Sequence, residues 1–237
     1  MQRWQEFFLD LLFPTKCLGC NRPKGSLNVS GLLCQDCQAS LPLNHWLFCP
    51  VCYQKLSGTL PCGVHRGKTS LAGLGIATDY QNQLVRGLIW SYKYHYIEAL
   101  REPLAEILFR YFQETFTEIL EKEDPNSFTL IALPLHPRRL RWRGFNQAEL
   151  LSNKFSTKAN LPLVAGLKRI SYRKPQVEVA SRKERFHNIR DAFKVSQPEL
   201  IKNKNIILVD DVVTSGATLQ EAARVLKLAG AKKVCGL

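Results

Sequence analysis

An α/β fold, an open parallel sheet with flanking helices preceded by a small cysteine-rich module, is what this sequence predicts, and three observations carry the prediction. Residues 206–209, Ile-Ile-Leu-Val, are apolar throughout and mostly β-branched, as in a parallel strand covered on both faces. They run into Asp210 and Asp211, then into Val213, Thr214, Ser215, Gly216, Ala217 and Thr218, and then into Leu219, Ala222, Ala223, Leu226 and Ala229 at helical spacing. Seven of the eight cysteines fall between positions 17 and 62.

The order strand, small hydroxylic loop, helix has a chemical use. Backbone N–H groups and the positive end of the helix dipole converge on the turn and can hold a phosphate, with the hydroxyls of 214, 215 and 218 as further donors. Two adjacent carboxylates suit something else, either sugar hydroxyls or a hydrated magnesium ion. Residues 206–218 therefore describe a ligand with both a phosphate and a polyhydroxyl ring. No Gly-Lys-Ser/Thr follows, so this is not a Walker loop, and the dinucleotide pattern of three glycines is missing as well.

The cysteines arrive as Cys17-x2-Cys20, Cys34-x2-Cys37, Cys49-x2-Cys52 and Cys62-x2-His65. Each pair offers two ligands at the bite that tetrahedral zinc requires, and a disulfide framework does not call for repeated two-residue spacing. Sequential pairing gives a site of Cys17, Cys20, Cys34 and Cys37 and another of Cys49, Cys52, Cys62 and His65; an interleaved pairing uses the same residues, and His45 is an alternative to His65. Sites filled by protein ligands are structural, with no open position for a catalytic water. Residues 14–67 carry little continuous apolar pattern, so metal is expected to supply folding energy there. Cys235 stands alone in an apolar strand and reads as core.

Before the module, Trp4, Phe7, Phe8, Leu11 and Leu12 share one helical face over 1–13, a stripe suited to packing on the domain behind it, with a membrane surface as the alternative. After it, 71–78 reads as a strand, 83–96 as a helix with Leu84, Leu88, Ile89 and Tyr92 inward, and 97–120 as a second helix bent at or starting from Pro103. Lys93 lies among aromatic residues that could aim its ammonium at an anion, or it is a solvated helix lysine. Residues 128–133 form another buried strand. The loop 134–147 then holds arginines at 138, 139, 141 and 143, and loops leaving neighbouring parallel strands gather at one crevice. Guanidinium pairs there can seat a pyrophosphate, whereas Trp142 between arginines also suits stacking on nucleic acid bases. A helix is expected over 144–156, a loop able to close over a substrate across the basic segment 171–185, and a short helix over 181–189 capped by Ser181.

The chain has 33 Lys and Arg against 20 Asp and Glu, a net charge of +13, so anionic partners are attracted over long range, whether phosphorylated metabolites, nucleic acid or a membrane surface. No apolar run reaches the roughly 18 residues needed to span a bilayer. Charges and amides at 2, 3, 5, 6 and 10 argue against a secretory signal, so a cytoplasmic protein is expected.

Residues 206–218 resemble the phosphoribosyl pyrophosphate (PRPP) signature of type I phosphoribosyltransferases. The whole order of motifs, from the cysteine pairs through Pro-Leu-His-Pro-Arg-Arg…Arg-Gly-Phe-Asn-Gln and Gln176…Arg182…Arg185…Asn188 to that signature, resembles the ComF family, including its GntX-like members. The patterns divide the chain into an N-terminal helix at 1–13, a cysteine-rich module at 14–67 and a domain at 68–237, and the resemblance implies that the second is a zinc-binding module like a zinc ribbon or double zinc finger and the third phosphoribosyltransferase-like. Asp210 and Asp211 would be the catalytic pair, meeting the ribose hydroxyls directly or through magnesium. Val213–Thr218 would wrap the 5′-phosphate, with Leu135, His136, Arg138, Arg143 and Lys93 on the pyrophosphate. The family is associated with uptake of transforming DNA. The function implied is binding of PRPP or a related ribose phosphate, with displacement of pyrophosphate by a nitrogen nucleophile if the site turns over. The alternative is a non-catalytic component of the transformation machinery that binds single-stranded DNA or docks a protein partner.

Overall fold

The computed structural model describes residues 16–23, 32–57, 61–95, 97–121, 123–172 and 182–237. The amphipathic helix expected over 1–13, and residues 173–181 of the expected closing loop with Gln176 and Ser181, lie outside the described residues. Among the described residues the strands are β1 Leu47–Phe48, β2 Lys55–Leu56, β3 Gly73–Gly75, β4 Phe128–Ala132, β5 Leu167–Arg169, β6 Phe193–Val195, β7 Asn205–Val209 and β8 Lys233–Gly236. The α-helices are α1 Gln35–Ala39, α2 Gln83–Tyr94, α3 Arg101–Glu121, α4 Pro137–Arg143, α5 Gln147–Ala159, α6 Arg182–Ile189 and α7 Ala217–Leu228.

Six strands make one sheet in the order β2-β1-β3-β8-β7-β4. The four from β3 to β4 run parallel, with Ile207 opposite Leu130 on one side and Cys235 on the other. All five residues of β7 are buried, as a strand covered on both faces must be. Its side chains alternate between two cores. Ile207 and Val209 join Leu130, Cys235 and the apolar stripes of α2, α3 and α5, including Leu88, Tyr92, Leu108 and Phe155. Ile206 and Leu208 join Ile131, Val234 and the stripe Leu219, Ala222, Ala223 and Leu226 of α7. The expected reading of Cys235 as core holds, since it is buried in the first of these.

The helices begin and end where local chemistry directs. Asn82 accepts from the N–H groups of Leu84 and Val85 and so starts α2. Pro103 sits in the first turn of α3, where a missing N–H costs nothing, so the helix runs unbroken from Arg101. Residues 137–143, expected as loop, are the helix α4. His136 caps it through Nδ1, Pro137 fills its first position, and Gly144 ends it at φ 83°, a left-handed conformation suited to glycine. The next helix, α5, therefore starts at Gln147 rather than 144. The strand expected over 71–78 pairs only from Gly73 to Gly75. A two-stranded ribbon of β5 and β6 was not expected; it turns the start of the basic segment into structure and fixes Arg169 opposite Phe193.

The cysteine-rich module joins the same sheet. Its β1 lies antiparallel to β3, Leu47 against Gly75, and β2 pairs on the outside of β1. Leu33, Leu41, Leu47 and Leu56 are buried in the core that holds α2 and α3, so four leucines dock a segment whose pattern predicted almost none. Truncating the central strand tests the two-core packing. Leu208 is fully buried, and Leu208→Ala is expected to lower the unfolding free energy by about 2–5 kcal/mol in urea titration. A loss well under 1 kcal/mol would mean that the second core is not formed around β7.

Candidate functional site

The eight metal-ligand candidates gather in two groups, Cys17, Cys20, Cys34 and Cys37, and Cys49, Cys52, Cys62 and His65, with the ligand atoms of each within 4.8 Å of one another. Sequential pairing is thus the arrangement found. With Zn–S near 2.3 Å, tetrahedral ligands stand about 3.8 Å apart. The Sγ atoms of Cys20 and Cys34 are 3.8 Å apart, those of Cys52 and Cys62 3.7 Å, and His65 Nδ1 lies 3.6 Å from Cys49 Sγ. Both sets fit structural zinc. Burial opposes ionisation of Cys17 and Cys49, but N–H groups of Cys20 and Cys34 at one, and of Cys52 and Val51 at the other, bring each thiol down to about 6. His45 is not a ligand; its Nδ1 pairs with Glu114 at 2.7 Å.

At the carboxyl end of β7, Asp210 and Asp211 meet Lys93, whose Nζ lies 2.8 Å from Asp211 Oδ1. Burial opposes the charge on Lys93, yet Asp211, with Asp210 behind it, holds the ammonium above its ordinary value. Asp210 keeps some surface open to the crevice but has protein on every other side. That shortage of water, with the neighbouring Asp211 charge, pushes its carboxyl up to about 7, and Lys93 offsets only part of the rise. Its Oδ1 accepts the N–H of Asp211 at 2.8 Å.

The loop to α7 follows directly. Gly216 takes φ 71° as the residue before the helix and, having no side chain, supplies no cap; the N–H of Ala217 donates to Ser215 Oγ, and the start of α7 lies beside the loop. Ser215 is buried, with Oγ 3.4 Å from the N–H of Ala217, whereas Thr214 is exposed. The Tyr53 hydroxyl, from the cysteine module, donates to the carbonyl of Thr214 at 3.0 Å.

Opposite stands α4. Asn146 Nδ2 donates to the carbonyl of Leu133 at 3.1 Å and ties the far end of this excursion back to β4. Leu135 and His136 bridge β4 and α4. Because His136 Nδ1 accepts the N–H of Arg138, its Nε2 is left to donate. Burial and then Arg138 keep the His136 pKa below its ordinary value, so this histidine is a neutral donor. Arg138 stacks over Tyr172 at 5.3 Å. Arg143 is at the other end of α4, where it donates to Gln147 Oε1 at 3.0 Å and lies over Tyr94 and Trp142.

Two arginines absent from the expected site are drawn in. Arg169, at the end of β5, is mostly surrounded by protein; burial and then Arg139 push it down to about 10, against the pull of Asp210. Its Nε, and Nη2 of Arg139, are buried without a hydrogen-bond partner among the described residues. Unpaired buried donors are costly, and such groups beside a crevice read as waiting for an anion. Both arginines stand out in the sequence as basic residues, Arg169 within the basic stretch 168–190, but nothing local assigned Arg169 to the crevice because β5 pairs with a strand more than 20 residues away.

A twisted parallel sheet with a carboxylate pair, a phosphate-type loop and an arginine-rich wall over its strand ends defines a phosphoribosyltransferase-type fold, here joined to a module with two zinc-ligand sets. Residues 142–235 match the phosphoribosyl transferase domain, and residues 8–64 match the double zinc ribbon domain. The chain is 29% identical over 225 residues to the DNA utilization protein YhgH of Salmonella typhi, covering 88% of this chain and 96% of that protein. It is 34% identical over 108 residues to competence protein F of Haemophilus influenzae, 44% of this chain and 46% of that one. With competence protein ComFC of Bacillus subtilis it shares 30% identity over 141 residues, 56% and 55% of the two chains. The resemblance to the ComF family is borne out by these homologues. No helix among the described residues is long and apolar enough to cross a membrane.

Purified chain is expected to carry two zinc ions by elemental analysis, and His65→Ala to carry one while keeping the site of Cys17, Cys20, Cys34 and Cys37. Two zinc ions in the variant would return His65 to the surface.

Proposed function

We propose that this chain binds PRPP, or a related ribose phosphate, with magnesium in the crevice over Asp210, in a protein that serves DNA uptake. The charge arrangement carries the proposal: adjacent carboxylates, a helix start six residues beyond Asp211 whose preceding residue is Gly216, and guanidinium N–H groups of Arg139 and Arg169 that are buried with no hydrogen-bond partner among the described residues, Arg169 being near enough to Asp210 to feel its charge. Val213–Thr218 would take the 5′-phosphate, Asp210 and Asp211 the ribose hydroxyls, and the wall of Leu135, His136, Arg138, Arg139 and Arg169 the pyrophosphate, with Arg143 flanking it. Lys93 balances Asp211 so that two carboxylates can adjoin at one strand end. The carboxylate oxygens outside the Lys93 and Asp211 N–H contacts fit a hydrated magnesium ion, which when bound would neutralise pyrophosphate charge. In turnover, the C1–O bond would break with its electron pair leaving on pyrophosphate. A nitrogen nucleophile would form the new C1 bond and lose its proton. The names of the homologues, a DNA utilization protein and competence proteins, support the cellular setting.

Calorimetry with PRPP and magnesium tests this. Asp210 must be ionised to accept the metal, so affinity is expected to fall as pH drops through about 7, and binding near that pH should release a proton, seen as a dependence of the heat on buffer ionisation. Arg169→Ala should weaken binding by about 10- to 100-fold. An absence of binding at pH 8 would end the proposal.

A second reading has its own observation. Trp90, Tyr94 and Trp142 are exposed large aromatics. Trp90 and Tyr94 lie 5.9 Å apart, and the Arg143 guanidinium lies 5.6 Å over Tyr94 and 5.9 Å over Trp142. Aromatic faces alternating with a guanidinium suit single-stranded DNA, whose bases stack and whose phosphates pair. Single-stranded DNA affinity is expected to fall about 5- to 100-fold in the double variant Trp90→Ala, Trp142→Ala. Arg138→Ala, Arg141→Ala and Arg143→Ala together should flatten its dependence on salt. Unchanged affinity and slope would move DNA off this face.

A further inference from the structure

The second zinc-ligand group and the phosphate loop are in direct contact, although they lie about 160 residues apart in sequence. Tyr53 immediately follows the ligand Cys52. Its backbone sits in the left-handed region at φ 59°, its N–H donates to the carbonyl of Cys49 at 2.9 Å, and the N–H of Cys49 donates to the carbonyl of Gln54 at 2.8 Å. These bonds form the tight turn that brings Cys49 and Cys52 to one metal, and the same turn aims the Tyr53 ring outward at the loop. There its hydroxyl donates to the Thr214 carbonyl at 3.0 Å.

Other contacts hold the same joint. A Cβ on Gly216 would stand 3.2 Å from the Tyr53 hydroxyl oxygen and 3.7 Å from the Pro50 carbonyl oxygen, so the knuckle lies flush on the residue just before α7. Gln220, one turn into α7, reaches the Pro50 carbonyl with Nε2 at 3.5 Å and accepts the Thr69 hydroxyl at 2.7 Å. The peptide whose carbonyl Tyr53 holds is the one between Thr214 and Ser215, so that hydrogen bond fixes the direction in which the Ser215 N–H points. An anion-binding turn works only if its N–H groups converge, and a peptide free to rotate loses that convergence.

We propose that Tyr53 is a positioning residue through which the second zinc site holds the phosphate loop in its anion-binding shape, so that zinc loading at Cys49, Cys52, Cys62 and His65 and ribose-phosphate affinity are thermodynamically linked. The link is reciprocal: whatever zinc does for the loop, a ligand on the loop does for retention of zinc. The site of Cys17, Cys20, Cys34 and Cys37 has no such contact among the hydrogen bonds of the described residues and serves as an internal control.

Tyr53→Phe keeps the ring and removes only the donor. In the zinc-loaded full chain, backbone hydrogen exchange is expected to rise about two- to tenfold in a peptide covering 212–219, while a peptide covering 128–133 and the zinc content stay as in the unchanged chain. Equal exchange in the loop, with both zinc ions retained, overturns the proposal. The companion measurement is zinc release to a chelator with and without PRPP and magnesium. It rests on the ligand reading above: one of the two release phases should slow with ligand, and Tyr53→Phe should remove that slowing. Faster loop exchange in the variant together with no calorimetric PRPP binding would sink the ligand reading, and with it the link to ribose-phosphate affinity, and would support only the hold of Tyr53 on the loop. PRPP binding with neither an exchange change nor a release change would sink the coupling alone.

Discussion

Two carboxylates placed side by side at the end of a strand buried on both faces repel each other where little water is present to screen them. Much of this molecule answers that constraint. Lys93 from α2 closes on Asp211, Arg169 from β5 acts on Asp210 from the other side, and Asp210 still titrates near neutrality. Each cation comes from a different element, so the crevice exists only when helix, ribbon and sheet are assembled. A buried charge left without its counter-charge is strongly destabilising, and the site is therefore bound up with the stability of the fold.

The sequence disclosed what local patterns encode. The apolar run ending in Asp210 and Asp211 announced the parallel sheet, and the two-residue cysteine spacing announced structural zinc, in one site or two. What it hid depends on distant pairing. Arg169 belongs to the crevice because Leu167–Arg169 pairs with Phe193–Val195, strands of three residues with no periodicity to read. The helix α4 was legible in principle, since Pro137 and Gly144 bracket it in the asymmetric manner of helix ends, but four arginines drew attention to charge rather than to capping. The pairing of ligands within the cysteine cluster needed three dimensions, because every combination satisfies the spacing.

The cysteine module also resolves differently from its composition. With few apolar residues it looked like a separate unit held by metal alone. Instead Leu47 and Leu56 enter the main core, β1 extends the main sheet, and Tyr53 reaches the phosphate loop. Metal and hydrophobic contact act on the same segment: zinc fixes the knuckle turns, and the leucines fix where those turns sit. That division explains how a sparse sequence can hold a precise contact with a loop on the far side of the strand order.

The sheet's two margins are guarded unequally. At β4 the outer backbone is occupied, the N–H of Leu130 donating to Pro162 and its carbonyl accepting from Val164. At the opposite margin, β3 is covered by β1 and β2, strands of two residues that belong to the zinc-held segment. An uncovered strand invites pairing with another chain. The zinc-held segment therefore also shields the margin of β3 from pairing with a second chain.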